Sequence, residues 1–179
     1  MTGEIEGIVV GMVDLGESDR ILRLLTPLEG RISVVARGAR SSRRRFAAGS
    51  ELGTRVHVGR SRIGALRSVT SLERIDSPSR ARAELERIGL LAYGCELCAA
   101  LAPEGAGADK LYRLLVSWLA LLEGEARPDD ASRLGLEAKA LTFAGLGPAL
   151  VRCPRCGAEN LPEGFKFCGN CGESISMQG

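Results

Sequence analysis

Four cysteines near the end of the chain, Cys153, Cys156, Cys168 and Cys171, stand in the pattern C-x2-C-x11-C-x2-C. Each pair is followed by a glycine, Gly157 or Gly172, free to adopt positive φ and turn backbone N–H groups toward sulfur. Two such knuckles facing each other present four thiolates in a tetrahedron, a donor set that favours zinc. All four positions are filled by protein, so the expectation is one structural Zn2+ with no open position for a catalytic water. The competing arrangement is a pair of disulfides, but a C-x-x-C disulfide is typically redox-active and sits at a helix start. A third C-x-x-C, Cys95 and Cys98, lies inside an apolar helical run, where both residues read as small core hydrophobes.

The second group able to do chemistry is the stretch "RISVVARGARSSRRRF", which puts six arginines and no acid into residues 31–46. A guanidinium is a planar fork that suits phosphate oxygens. Arg37, Arg40, Arg43, Arg44 and Arg45 leave the end of an apolar run, with Arg31 near its start. Gly38 and Ala39 are small enough to let a polyanion approach the backbone. The distribution of charge agrees: residues 1–80 carry fourteen Lys/Arg against nine Asp/Glu, whereas residues 81–179 carry ten against thirteen. Phosphate binding by the first half is the reading; a solubilising loop is the bland alternative. Phe46 is the only aromatic in residues 1–80, hence the only candidate platform for base stacking.

Catalytic constellations are not apparent. There is no phosphate-binding Walker loop, dinucleotide fingerprint or G-x-S-x-G. His57, the single histidine, sits between two valines and reads as a barrel residue. "DLGESDR" offers Asp14, Glu17 and Asp19, which could in principle hold Mg2+ as in a nuclease, but their spacing suits a solvated turn. The expectation is a protein that is not an enzyme and takes no small-molecule substrate.

The elements that must position these groups change character along the chain. "EIEGIVVGMV", "RILRLLTP", "RISVVARG", "TRVHVGR" and "LRSVTSLERI" are five short runs rich in Val, Ile and Leu. Ile32 and Val34, like Val56 and Val58, show the alternation of a strand. "TPLEGR" supplies turn chemistry through Pro27 and Gly30, predicting a hairpin between the second and third strands. Five short strands close most economically into a five-stranded oligonucleotide-binding (OB-fold) β-barrel. From Ser77, a candidate cap, and Pro78, the period becomes helical. Leu85, Ile88, Ala92, Cys95 and Leu101 predict the buried face of a first helix; Leu111, Leu114, Leu115, Trp118 and Leu122 that of a second. A third helix should run from about Asp130 to Ala144 and stop at "GLGP". The predicted class is α+β and multidomain: an OB-fold over 1–77, a small α-helical bundle over 78–150 and a zinc ribbon over 151–179. No apolar run approaches the roughly 20 residues that span a bilayer, and the N-terminus lacks a signal-peptide pattern, so the expected compartment is the cytoplasm, with no membrane partner.

"GIVVGMVDLGESDRILRLLTPLEGRISVVARGARSSRRRF" closely resembles the N-terminal domain of the RecO family of bacterial recombination mediators. The likeness is carried by G-E-S-D-R-I (Gly16 to Ile21), T-P-x-x-G (Thr26 to Gly30) and V-A-R-G-A-R (Val35 to Arg40). "LEAKALTFAGLGPALVRCPRCG" resembles the family's last bundle helix running into its zinc knuckle, while the tail beyond it is similar to free-standing zinc ribbons of unrelated proteins. The resemblance implies a nucleoid-associated DNA repair and recombination protein that binds single- and double-stranded DNA and anneals complementary strands. It also implies partners: SSB, RecR, RecF and RecA, the last loaded on gaps. Carried over to this sequence, the DNA contacts are Arg37, Arg40, Arg43, Arg44 and Arg45, with Arg31 beside them; the reading of the residues adds Gly38 and Phe46 to the candidate DNA-binding set. The rival reading from another class is an interaction adaptor, in which ribbon and bundle dock a partner protein without DNA annealing.

Overall fold

Alternation in the five apolar runs is realised as five strands in a computed structural model, which describes residues 3–39, 49–61, 67–146, 153, 155–158 and 167–174. The strands are β1 (Gly3–Leu15), β2 (Asp19–Thr26), β3 (Gly30–Ala36), β4 (Arg55–Ser61) and β5 (Arg67–Asp76). They close into a barrel in the order β1-β2-β3-β5-β4. Neighbours are antiparallel except β3 and β5, which meet in parallel where Val34 faces Arg67 and Val35 faces Ser68. Side chains two apart point the same way on a pleated strand. Ile32 and Val34 therefore enter the barrel together, as do Val56 and Val58, and they pack with Ile5, Val9, Leu22 and Leu24. The expected hairpin joins β2 to β3, with Gly30 at φ +63°.

Other barrel residues point the opposite way. Ile8, Val10 and Leu25 belong to a second core, shared with the helices through Leu91, Cys95, Cys98, Leu115, Trp118 and Leu122. Barrel and helices are thus joined by one apolar interior. Burial pushes the thiols of Cys95 and Cys98 up to about 12, so both behave as the small hydrophobes expected of them.

The helical part differs from its sequence-based expectation at the start. Four helices form: α1 (Ser79–Ala83), α2 (Leu85–Leu101), α3 (Asp109–Glu123) and α4 (Asp130–Phe143). Glu84 is extended (φ −118°, ψ 124°) and separates α1 from α2. That break rotates α2, so Leu85 (84% exposed) and Ile88 (41%) face out while Arg87 faces in. The cause is the end of α3, whose last carbonyls need donors. Buried Arg87 supplies them, donating to the carbonyls of Leu122 (2.6 Å), Gly124 (3.0 Å) and Glu125 (3.2 Å). Ser77 does not cap α1 either: Pro78 occupies the cap position, and the N–H groups of Arg80 and Ala81 donate to the Glu123 carboxylate at 3.2 and 2.9 Å. The remaining helices match the predicted pattern, α3 burying Leu111, Tyr112, Leu115, Trp118, Leu119 and Leu122. Asp129 caps α4 by accepting the Ser132 N–H at 2.8 Å, and Gly145 follows its end at φ +75°.

The loop between α2 and α3 runs along the β2–β3 turn and bonds to its backbone. Arg31 N–H donates to Pro103 O (2.8 Å), Gly105 N–H to Glu29 O (3.1 Å) and Ala108 N–H to Pro27 O (2.9 Å). On the other side of the same turn, the Glu29 carboxylate is shared by Arg60 and Arg67, at either end of the β4–β5 connection. The Arg60 guanidinium, helped by Arg67, holds the Glu29 carboxyl down at about 2. The turn is therefore clamped from both sides. Among the described residues no helix is long and apolar enough to cross a membrane.

Candidate functional site

The arginine segment begins where β3 leaves the barrel. Residues Arg37 to Ala39 form a turn after Ala36, with Gly38 at φ +69°. A non-glycine residue is strained in that conformation, which gives Gly38 a physical reason to be there. Its N–H donates to Asp19 Oδ1 at 2.9 Å, so the departing chain is pinned beside the β1–β2 turn. Arg37 is exposed and makes no ion pair among the described residues. Arg40, Arg43, Arg44, Arg45 and Phe46 lie outside the described residues.

Arg31 has a different situation from the rest of the expected set. It donates to the Ala99 carbonyl at 3.1 Å and pairs with Glu104 at 2.7 Å, tying β3 to the end of α2 and the loop beyond it. Its charge is already answered by the protein. Two of the three acids of the "DLGESDR" turn are also engaged: Asp14 pairs with Arg20 at 2.8 Å, and Asp19 holds Gly38, while Glu17 is exposed. His57 is exposed on β4, opposite Glu6 of β1 and Glu73 of β5.

One cation stands out that spacing alone did not single out. Arg23 is exposed in the middle of β2, opposite Gly11 on β1 and Ser33 on β3, and it too makes no ion pair among the described residues. The signal was present in "ILRLL": Leu22 and Leu24 alternate into the barrel, which forces Arg23 onto its outer face.

The four cysteines come together as their spacing requires. Their sulfurs all lie within 4.8 Å of one another and could hold a metal ion. Cys153 and Cys171 sulfurs are 3.4 Å apart, those of Cys156 and Cys168 3.7 Å. The knuckles are built alike. Gly157 and Gly172, at φ +68° and +74°, donate to the carbonyls of Cys153 and Cys168. One residue on, the N–H groups of Ala158 and Glu173 donate to the sulfurs of Cys156 and Cys171. The Ala158 donor lowers the Cys156 thiol toward thiolate, the form a metal binds, whereas against the Glu173 donor burial and the neighbouring sulfurs push Cys171 up. Cys153 and Cys168 are buried, so the centre is shielded on one side.

Comparison with known proteins adds the following. The family model for the N-terminal region of recombination protein O matches residues 1–78, and that for its C-terminal region matches residues 82–176. The chain is 37% identical over 182 residues to a DNA repair protein RecO from Anaeromyxobacter dehalogenans, across 96% of this chain and 71% of that protein. It is 36% identical over 174 residues to the DNA repair protein RecO of Syntrophotalea carbinolica, across 96% and 67%. A third relative, the DNA repair protein RecO of Geobacter sulfurreducens, is 36% identical over 168 residues, across 93% and 68%.

Proposed function

The chain belongs to the RecO family of DNA repair proteins, and from that premise we propose that it is a non-enzymatic recombination mediator. It binds single- and double-stranded DNA through the arginines that follow β3, namely Arg37, Arg40, Arg43, Arg44 and Arg45, with Gly38 giving the backbone room. It anneals complementary strands and acts with SSB, RecR and RecF in loading RecA. Arg31 is left out of the contact set, because Ala99 and Glu104 already satisfy it. The observation that carries the reading is the exit of β3: Arg37 stands exposed, without an ion pair among the described residues, on a turn fixed by the Asp19–Gly38 bond, and the remaining arginines follow in sequence.

The chemistry needs no covalent step. Guanidinium groups neutralise phosphates, binding releases condensed counterions, and repulsion between two strands falls. A protein that screens phosphates without stacking bases leaves the base edges free to pair. Annealing of complementary strands coated with SSB, with and without the protein, tests this reading. Acceleration by the protein supports it, and an unchanged rate counts against it.

The cysteine centre holds one structural zinc in this proposal. A tetrahedron with Zn–S bonds of about 2.3 Å has sulfurs about 3.8 Å apart, and the separations of 3.4 and 3.7 Å are close to that spacing. The purified protein should contain one zinc per chain. Cys168→Ser should release it and unfold the knuckles, leaving the barrel folded, because the barrel interior contains no ligand cysteine. Elemental analysis and circular dichroism check this; absence of zinc, or global unfolding on chelation, contradicts it.

A further inference from the structure

The four sulfurs of the cysteine centre differ in their access to solvent. Cys153 and Cys168, the first of each pair, are each 2% exposed, Cys171 is half-buried and Cys156 is exposed. Cys156 also stands against the facing knuckle: its sulfur lies 3.7 Å from that of Cys168 and accepts the Asn170 side-chain amide at 3.6 Å. The other two sulfurs, those of Cys153 and Cys171, approach each other to 3.4 Å. These close approaches run between the knuckles, from the first cysteine of one to the second of the other. The cluster packs on itself: Ala158 and Cys171 cover Cys153 and Cys168, and none of these residues belongs to the barrel or helical cores. Cys95 and Cys98 provide the contrast, with no exposed surface and with thiols pushed up to about 12 by burial.

Sulfurs that hold a metal are thiolates, and a thiolate that solvent can reach is the group an oxidant attacks. We propose that Cys156 is an oxidation site with Cys168 as its resolving partner, through which a peroxide converts the centre into a disulfide between the knuckles and releases the metal. The inference rests on the zinc reading above. The Cys156 thiolate attacks one oxygen of hydrogen peroxide; an S–O bond forms, the O–O bond breaks and hydroxide leaves. The Cys168 thiolate then attacks the sulfenic sulfur; the S–S bond forms, the S–O bond breaks and a second hydroxide leaves. Two electrons pass in all, from the two sulfurs to the peroxide. Closing this pair from 3.7 Å takes under about 2 Å of movement. Cys153 and Cys171 then remain as the only thiolates, half the ligand set of a structural site. Buried Cys153 is shielded from peroxide, while Cys95 and Cys98 are neither accessible nor ionised.

The test treats the zinc-loaded chain with hydrogen peroxide, reads released zinc with a chromogenic chelator and maps cysteine linkages by tryptic digestion and mass spectrometry. Arg155 separates Cys153 from Cys156 in the digest, and fragmentation of the partner peptide separates Cys168 from Cys171. Zinc release should keep pace with the disulfide between Cys156 and Cys168, and a reductant with added zinc should reverse both. Cys95 and Cys98 should stay free thiols. Cys156→His keeps a ligand that zinc accepts but removes the reactive sulfur, so release should slow roughly tenfold. Cys171→His makes the same exchange at the less exposed position and should release at nearly the wild-type rate. A first linkage between any other two cysteines, or equal slowing by both substitutions, would overturn the inference. Should a histidine variant fail to load zinc, the linkage map of the wild type decides alone. A wild-type chain that purifies without zinc overturns the zinc reading instead, and the first disulfide formed in that metal-free chain still tests the pairing of Cys156 with Cys168.

Discussion

Replacing Arg43 and Arg44 together with alanine should weaken binding to every DNA sequence alike and slow strand annealing in step. Each guanidinium that meets one phosphate of a single strand contributes about 0.7 to the salt slope. Losing two should therefore flatten it by about 1 to 1.5 and lower affinity on the order of tenfold at low salt. Sequence independence follows from the ligand: phosphates are the same at every base, and residues 1–80 offer only Phe46 as an aromatic platform. Titrations on several oligonucleotides of different sequence check the first half, and an annealing assay the second. Selective loss on particular sequences would point to contacts with base edges instead.

The largest effect on stability should come from Gly30→Ala. Gly30 sits at φ +63°, and a Cβ there would lie 2.1 Å from the Pro103 carbonyl oxygen and 2.5 Å from that of Ala106. Both are backbone atoms of the loop that bonds to the β2–β3 turn, so relief requires moving the loop and breaking its hydrogen bonds. Gly105 provides the comparison: it also has positive φ, +73°, but nothing stands within 4 Å of its missing Cβ. Gly105→Ala should cost about 1 kcal/mol, the strain of the left-handed conformation alone. Gly30→Ala should cost about 3 kcal/mol or more, lowering Tm by roughly 6–12 °C for a chain of this size. Thermal unfolding of both variants decides it. Equal losses would mean that the loop does not clamp the turn.

The barrel was legible because its determinants are local. Ile32 with Val34, and Val56 with Val58, declare inward faces by spacing alone, and Thr26 to Gly30 declares a turn by residue type. The cysteine cluster was legible for the same reason, since C-x-x-C-G is a local geometry repeated twice. The start of the helical part was not, because its determinants are distant in sequence. Arg87 reads as a surface cation until the carbonyls at the end of α3, thirty-five residues or more away, are placed above it. Once it turns inward, Leu85 and Ile88 must turn outward, against their hydrophobicity. Ser77 loses its expected role likewise, since Glu123 of α3 takes the N–H groups it was to cap. Among the arginines, local density marked the segment after β3. Only tertiary partners separate Arg31, which is spent on Ala99 and Glu104, from Arg23, which makes no ion pair among the described residues.

The central claim is that this protein grips DNA by its phosphates. A salt titration of the wild type on single-stranded oligonucleotides tests it most directly. If the five arginines from Arg37 to Arg45 each meet one phosphate, log K against log salt should fall with a slope near −3.5. A shallow slope, unmoved by Arg43→Ala with Arg44→Ala, would contradict the account: the arginine segment would then be a solvated surface, and the interaction-adaptor reading would take its place.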